Sequence, residues 1–184
     1  MTVARRGVFL DRDGVLVETL VKNNRACAPV SLEEFRISEG AREQVARLRE
    51  AGLVPIVFTN QPEVARGLIT AETLAQMHEQ LRGAVPVEDI FVCVHDSGHE
   101  CECRKPKPGM LRAAADKWGI DLQRSFVVGD RWRDIQAGRA VGSYTILIDR
   151  PYSECSSADA RVDDLKQAVD VALSQLGDGD PWTS

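Results

Sequence analysis

Short apolar runs recur along the chain and alternate with stretches that have helical periodicity. The runs are rich in Val and Ile and cover residues 8–10, 54–58, 90–94, 126–128 and 145–148. Short, continuously apolar runs are typical of strands that are covered on both faces. The pattern therefore predicts buried strands that pair in parallel.

The stretches between these runs place apolar residues at helical spacing. Ala41, Val45 and Leu48 share one helix face, and Thr70 is suited to cap the start of the next helix. The predicted helices cover residues 40–51, 71–82, 109–118, 132–141 and 162–176. Alternating strands and helices indicate an α/β protein, with a three-layer Rossmann-like fold and helices on both faces of the sheet. We expect a single domain over residues 1–176 and a flexible tail at 177–184.

Composition narrows the classes of protein to which the chain can belong. Of its 184 residues, 43% are hydrophobic and 28% are charged, which is close to the globular average and excludes wholesale disorder. The formal net charge of −5 and the aromatic content of 5% argue against nucleic-acid binding. No apolar run approaches the ~18 residues that crossing a bilayer requires. We expect a cytoplasmic protein that binds neither nucleic acid nor membranes.

Acidic residues follow two of the predicted strands. Asp11 and Asp13 come after the first strand, and Asp130 comes after the fourth. Residues two apart in extended backbone point the same way, so Asp11 and Asp13 can face one site. A strand-to-loop turn with a capping Asp explains that pair equally well, but Asp130 adds a carboxylate at the same edge of the sheet. Converging carboxylates repel one another unless a cation binds, and oxygen ligands favour Mg²⁺.

The order of these motifs resembles the haloacid dehalogenase superfamily of phosphotransferases. The matching residues are Asp11-Arg12-Asp13-Gly14, Thr59, Lys105 and Gly129-Asp130 with Asp134. The resemblance implies that Asp11 is the nucleophile, which forms an aspartyl-phosphate, and that Asp13 is the general acid and base. It implies that Thr59 hydrogen-bonds the transferred phosphoryl group and that Lys105 neutralises its charge. It also implies a catalytic Mg²⁺ bound by the Asp11 and Asp130 carboxylates and by the Asp13 main-chain carbonyl.

Two other classes of protein compete with a phosphatase. A phosphoaspartate receiver-type regulatory module also uses acids, a Thr and a Lys on a parallel α/β sheet. It has no second acid two residues after the phosphorylated Asp, so Asp13 favours a hydrolase. A zinc-binding adaptor without activity leaves the placement of Asp11, Thr59 and Asp130 unexplained.

Four residues of metal-binding type precede Lys105. They are Cys93, His95, Cys101 and Cys103. Three thiolates and one imidazole are typical of a structural Zn²⁺ site, although reduced thiols in a surface loop are the plainer interpretation. We expect residues 93–103 to form a zinc loop in which His99 is not a ligand. Cys27 and Cys155 have no such neighbours and are expected to act as small apolar residues.

The zinc loop narrows the resemblance to a subgroup without a large cap domain. This subgroup includes heptose bisphosphate phosphatases and histidinol-phosphate phosphatases. Ala65-Arg66-Gly67 resembles the heptose enzymes, whereas the short zinc loop resembles the histidinol-phosphate enzymes. Pro62-Glu63 stands where the heptose enzymes usually have Ser-Gly, and a carboxylate there disfavours a second phosphate. The expected reaction is removal of one phosphate from a heptose bisphosphate, with histidinol phosphate as the alternative substrate.

Polar and basic residues beside the motifs are candidates to hold the rest of the substrate. We expect Asn60, Arg66 and Arg104 to bind it, with Lys107 as a further candidate. Plain surface charge is the other interpretation of Arg66 and Lys107. Residues 15–34 are too few for a cap domain and are expected to form a loop. The chain is therefore expected to act, as a monomer, on a small phosphorylated metabolite.

Overall fold

The computed structural model of the protein describes residues 4–22, 25–153 and 157–177. Its strands are Gly7–Leu10 (β1), Leu20–Lys22 (β2), Arg25–Cys27 (β3), Val54–Asn60 (β4), Asp89–Cys93 (β5), Phe126–Gly129 (β6), Tyr144–Ile148 (β7) and Ala160–Val162 (β8). Its α-helices are Ala41–Glu50 (α1), Ala71–Ala84 (α2), Gly109–Trp118 (α3), Trp132–Arg139 (α4) and Leu165–Gly177 (α5), and Leu122–Arg124 forms a turn of 3₁₀ helix.

Six strands form one parallel sheet in the order β5-β4-β1-β6-β7-β8. Successive side chains of β1 enter opposite layers, because neighbouring positions of a strand face opposite sides of the sheet. Val8 and Leu10 pack with residues of α1, α2 and α5, whereas Phe9 packs with residues of α3 and α4. The predicted three-layer α/β fold is confirmed.

The last predicted helix, 162–176, began too early. Val162 is the final residue of β8 and pairs with Ile148 of β7. The helix α5 begins only at Leu165. The residue before it, Asp164, accepts a hydrogen bond through its carboxylate from the backbone N–H of Gln167 at 2.8 Å. In the sequence, the apolar periodicity of α5 extends back to Val162, so the end of the three-residue strand β8 was assigned to the helix.

The segment 15–34 is not a plain loop, as was expected, since it contains an antiparallel hairpin. Leu20 pairs with Cys27 and Val21 pairs with Ala26. Strands of three residues are too short to leave a recognisable period of two in a sequence. The hairpin is small, so the prediction that no large cap domain is present agrees with the described residues.

Two sequence predictions concern residues outside the described part of the chain. These are the role of Cys155 and the flexibility of the tail 177–184, of which only Gly177 is described, as the last residue of α5. Within the described residues, no helix combines the length and the apolarity that crossing a membrane requires.

Candidate active site

Three adjacent strands bring the predicted catalytic residues together. β1 lies between β4 and β6, and the carboxyl ends of all three meet at one edge of the sheet. Asp11, Asp13, Thr59 and Lys105 line a cavity of about 570 Å³ at this edge. Thr59 is the penultimate residue of β4 rather than a residue beyond it, because β4 continues to Asn60. Ligands bind at this edge in open parallel sheets.

Lys105 is a buried cation between two carboxylates. Its Nζ lies 2.8 Å from Asp11 Oδ1 and 2.6 Å from Asp134 Oδ1, and it donates to the Phe58 carbonyl at 3.0 Å. Burial alone lowers the pKa of Lys105, but the two carboxylates outweigh burial and raise it to about 12. Lys105 is therefore charged at neutral pH and lies beside the predicted nucleophile.

The acids at this edge outnumber the buried cations. They are Asp11, Asp13, Asp130 and Asp134, against Lys105 and Arg12. Burial raises the pKa of Asp11, and Asp134, Asp130 and Asp13 raise it further while Lys105 opposes them. Burial and then Asp134 raise the pKa of Asp130 to about 6. The two negative charges in excess equal the charge of one divalent cation.

The donor atoms at this edge fit Mg²⁺. Carboxylate oxygens of Asp11, Asp130 and Asp134 lie within 4.8 Å of one another. Asp134 already binds Lys105 through Oδ1 and accepts from the Arg131 backbone N–H through Oδ2. Asp130 Oδ1 is buried and has no hydrogen-bond partner among the described residues. A hard cation with oxygen ligands satisfies this atom. The carbonyl of Asp13 stays a predicted ligand.

Gly14 allows the acidic turn to approach Asp130 closely. Its φ is 90°, and a Cβ at this position would overlap the Asp130 carboxylate. A larger residue would force the two metal-binding segments apart. This explains why the turn after Asp13 requires glycine.

Arg12 and Gln61 hold the Asp13 carboxylate in place, and the sequence analysis assigned neither of them a role. Arg12 donates to Asp13 from Nε and from Nη2, both at 3.0 Å. Gln61 Nε2 donates to Asp13 Oδ2 at 2.7 Å and to Thr59 Oγ1 at 2.9 Å, and its Oε1 accepts from Arg12 at 2.8 Å. Gln61 lies two residues after Thr59, and this spacing is the feature of the sequence that could have identified Gln61 as a supporting residue.

His78 supports Arg12 from helix α2. Its Nε2 is 3.3 Å from Arg12 Nη1, and because a guanidinium can only donate, this nitrogen is the acceptor of a neutral imidazole. Burial first, and then the charge of Arg12, lower the pKa of His78 to about 4. The sequence contained one indication of this role for His78. It follows Met77 on the buried face of α2.

Asn60 positions Lys105, although it also lines the cavity. Its Oδ1 accepts from the Lys105 backbone N–H at 3.1 Å, and its Nδ2 donates to the Lys105 carbonyl at 3.2 Å. Thr59 Oγ1 accepts from Gln61, so its hydroxyl hydrogen is available for a phosphoryl oxygen.

The cysteine cluster has the dimensions of a zinc site. Cys93 Sγ lies 3.9 Å from Cys101 Sγ and 3.5 Å from His95 Nδ1, which is 3.3 Å from Cys103 Sγ. Tetrahedral ligands at about 2.3 Å (S) and about 2.0 Å (N) from zinc are separated by about 3.5–3.8 Å. Burial raises the pKa of Cys93 to about 12, so a cation is needed to keep it as a thiolate. These four residues could hold zinc.

His99 lies outside this cluster, as was expected. Its Nδ1 accepts from the backbone N–H of Asp96 at 3.1 Å. Cys27, expected to be an inert apolar residue, lies at the end of the hairpin and on the cavity wall.

The zinc loop is continuous with Lys105, the predicted catalytic lysine. Arg104 Nη1 donates to the His95 carbonyl at 2.7 Å, and Lys107 Nζ donates to the Cys101 carbonyl at 2.8 Å. Gly109 packs so closely against the Glu102 carbonyl that a Cβ would overlap it. Lys107 binds the loop and is not among the residues that line the cavity, so the structure does not support it as a substrate ligand.

Four arginines also line the cavity, and they differ in how they are held. Arg66 pairs with Asp96 at 2.6 and 2.8 Å, and this hydrogen bond lowers the pKa of Asp96 well below its usual range. Arg104, Arg131 and Arg133 are the others, and no role was predicted for the last two. Arg131 and Arg133 come within three residues of Asp130, so their position just after a strand end could have indicated them.

Comparison with known families identifies the family and the fold. A family model described as haloacid dehalogenase-like hydrolase matches residues 17–142. The chain belongs to this family. A D-glycero-beta-D-manno-heptose-1,7-bisphosphate 7-phosphatase from Pseudomonas putida is 40% identical over 147 residues, which cover 77% of this chain and 81% of that protein. The protein of the same name from Vibrio cholerae is 34% identical and covers 87% of this chain and 91% of its own length.

Solved structures agree with the comparison of sequences. The hydrolase is similar to D,D-heptose 1,7-bisphosphate phosphatase from B. bronchiseptica, which was crystallised with magnesium and phosphate, at a TM-score of 0.79 and 29% identity. That match covers 92% of this chain and 99% of the other. The corresponding enzyme from Burkholderia thailandensis matches at a TM-score of 0.66 and 28% identity, covering 92% of this chain and 99% of the other.

Proposed function

We propose that this hydrolase is a Mg²⁺-dependent phosphatase that removes one phosphate from D-glycero-D-manno-heptose 1,7-bisphosphate and leaves the heptose monophosphate. The observation that carries the proposal is the grouping of Asp11, Asp13, Thr59 and Lys105 around one cavity at the carboxyl ends of β1 and β4. The named relatives support the substrate, since both are called heptose bisphosphate 7-phosphatases.

The reaction proceeds in two displacements, for which the residues are suitably spaced. An Asp11 oxygen attacks phosphorus while the bond from phosphorus to the sugar oxygen breaks, and Asp13 gives a proton to that oxygen. Water then attacks the aspartyl-phosphate, Asp13 takes its proton, and phosphate leaves. Lys105 balances charge beside Asp11, and Thr59 donates to a phosphoryl oxygen. When bound by Asp11 and Asp130, Mg²⁺ neutralises negative charge on the transferred group.

The distal phosphate is the feature that basic residues can recognise. Arg66, Arg104, Arg131 and Arg133 line the same cavity, and Arg side chains bind phosphate through paired hydrogen bonds. Among the described residues, Glu63 is the one acid of the cavity lining besides Asp11, Asp13 and Asp134, so the excess of arginines supports a bisphosphate substrate.

Histidinol phosphate is the second candidate, because of Glu63. This carboxylate lines the cavity, and its Oε1 is 4.0 Å from the nearest Arg66 nitrogen. A carboxylate with such a long ion pair is suited to an ammonium or imidazolium group. The phosphoaspartate receiver alternative loses support, since the chain belongs to a hydrolase family.

A side-by-side measurement of kcat/KM distinguishes the two substrates. It compares both anomers of D-glycero-D-manno-heptose 1,7-bisphosphate with histidinol phosphate at saturating Mg²⁺. We expect the bisphosphate to be preferred. A preference of tenfold or more for histidinol phosphate would contradict the proposal, and Glu63→Gln would then be expected to raise KM for that substrate.

We also propose that the protein acts as a monomer in the cytoplasm, on a small metabolite rather than on nucleic acid or a membrane. A single catalytic domain over residues 1–176 is part of this proposal. The acidic net charge of −5 supports it, because that charge disfavours polyanionic partners.

A further inference from the structure

The loop that follows β7 contacts Asp130 at both its side chain and its main chain. Tyr152 donates from its hydroxyl to Asp130 Oδ2 at 2.7 Å, and Ser153 donates from Oγ to the Asp130 carbonyl at 2.6 Å. Arg150 of the same loop donates to the Gly14 carbonyl at 3.1 Å. The loop thereby fastens the turn after Asp13 to the end of β6.

The Tyr152 contact distinguishes the two oxygens of the Asp130 carboxylate. Oδ2 is occupied by the phenol, whereas Oδ1 is buried without a hydrogen-bond partner among the described residues. Asp130 belongs to the group of carboxylates that lie within 4.8 Å of one another, together with Asp11 and Asp134. A carboxylate free to rotate would present either oxygen, and the phenol removes that freedom.

The Tyr152 ring is itself held in place. The Arg131 guanidinium lies over the ring at 5.1 Å from its centre, and Arg131 also donates to the Ala26 carbonyl at 3.2 Å. Tyr152 is not among the residues that line the cavity, whereas Arg131 is. A change at Tyr152 should therefore act on the metal site and leave substrate contacts intact.

We propose that the loop, through Tyr152 and Ser153, positions Asp130 for Mg²⁺ binding. The proposal rests on the magnesium site of the proposed function. Tyr152 and Ser153 are positioning residues, since neither reaches the reacting atoms. Hydrogen-bonding partners that orient a metal ligand contribute about 10- to 100-fold to metal affinity.

The test measures metal binding directly, with Mn²⁺ as the probe on protein that retains its zinc. Electron paramagnetic resonance counts free Mn²⁺ in titrations of the wild type, Tyr152→Phe and Ser153→Ala. Tyr144→Phe is the matched control, because Tyr144 is the other tyrosine of the chain and packs against Phe126 at the opposite end of β7. We expect Tyr152→Phe to raise the Kd for Mn²⁺ by about 10- to 100-fold. Ser153→Ala should raise it less, and Tyr144→Phe should leave it within twofold.

Stability and kinetics separate positioning from a general structural role. Melting temperatures measured with and without Mg²⁺ give the metal-dependent stabilisation of each variant, whatever its stability without metal. The positioning role predicts a smaller Mg²⁺-dependent shift for Tyr152→Phe, and an unchanged substrate KM at saturating Mg²⁺. If Tyr152→Phe does not fold, the same measurements on Ser153→Ala decide, and a Kd equal to wild type overturns the proposal.

Asp130→Asn separates failure of this inference from failure of the proposed function. If Asp130→Asn loses Mn²⁺ binding while Tyr152→Phe binds within twofold of wild type, the positioning role is wrong and the metal site stands. If Asp130→Asn binds Mn²⁺ as the wild type does, the magnesium site itself is wrong, and the positioning role fails with it.

Discussion

Two groups of cavity residues are built differently: Asp11, Thr59 and Lys105, here called the phosphoryl end, and Arg66 with Glu63, here called the distal end. At the phosphoryl end, Asp11, Thr59 and Lys105 are buried, and each has a polar partner at hydrogen-bond distance. At the distal end, the Arg66 side chain is 44% exposed and pairs with Asp96 at 2.6 Å and, at 4.0 Å, with Glu63. Buried groups whose polar atoms are paired are held in one geometry. Exposed ion pairs contribute little to stability, and their side chains change conformation easily.

This difference shows which part of the site fixes the reaction and which part selects the substrate. The phosphoryl end has the charge balance for one divalent cation and the nucleophile beside a lysine. Besides these residues, four arginines and Glu63 line the cavity, an arrangement that several small phosphorylated molecules can satisfy. Substitutions should therefore affect catalysis strongly at one end and substrate affinity weakly at the other.

The largest effect is expected for Asp11→Asn. The amide is nearly isosteric but is a poor nucleophile, so kcat should fall by about 10³-fold or more while the melting temperature stays close to that of the wild type. Asp116→Asn on the exposed surface of α3 is the control and should keep full activity. If Asp11→Asn retained a tenth of wild-type activity, the assignment of Asp11 as the nucleophile would be wrong.

A smaller loss is expected for Cys101→Ser in the zinc loop. The wild type should contain about one zinc per chain, which survives a wash that removes Mg²⁺. Loss of this ligand should displace Arg104 and Lys105, and ~1 Å of displacement can cost ~10²-fold in rate. His99→Gln, in the same loop, should keep both zinc and activity. Metal analysis that finds no zinc in wild-type protein made with zinc supplied would contradict the assignment.

The smallest effect is expected at the distal end, for Arg66→Ala. An exposed ion-pairing group contributes about 0.2–1 kcal/mol, so KM for the bisphosphate should rise by about 1.4- to fivefold with kcat unchanged. Arg112→Ala, an exposed arginine of α3 away from the cavity, is the control. A fall in kcat comparable to that of Asp11→Asn would abolish the distinction between the two ends.

The sequence predicted the phosphoryl end well, for a physical reason. Strands covered on both faces leave short, continuously apolar runs, and the residues after parallel strands lie at one edge of the sheet. Asp11, Thr59 and Asp130 could therefore be placed together before any coordinates were known. The zinc loop was predictable from spacing alone, because four ligands within one loop need no tertiary information.

The supporting residues could not be predicted in this way. Arg12 stands between the two acids in the sequence, and its side chain donates to the Asp13 carboxylate. His78 reaches Arg12 across 66 positions of sequence, and Tyr152 reaches Asp130 across 22. Such contacts depend on how helices and loops pack, and a pattern of hydrophobic positions does not contain that information.

The central claim is the covalent role of Asp11, and trapping the phosphoenzyme tests it most directly. Asp13→Asn should slow hydrolysis of the aspartyl-phosphate enough for it to accumulate with the heptose bisphosphate and Mg²⁺. After an acid quench, mass spectrometry of peptides should find one phosphoryl group on Asp11, removable by hydroxylamine. The double variant Asp11→Asn, Asp13→Asn should carry none. A phosphoryl group on another residue, or none on Asp13→Asn while that variant still turns over the substrate, would contradict the account.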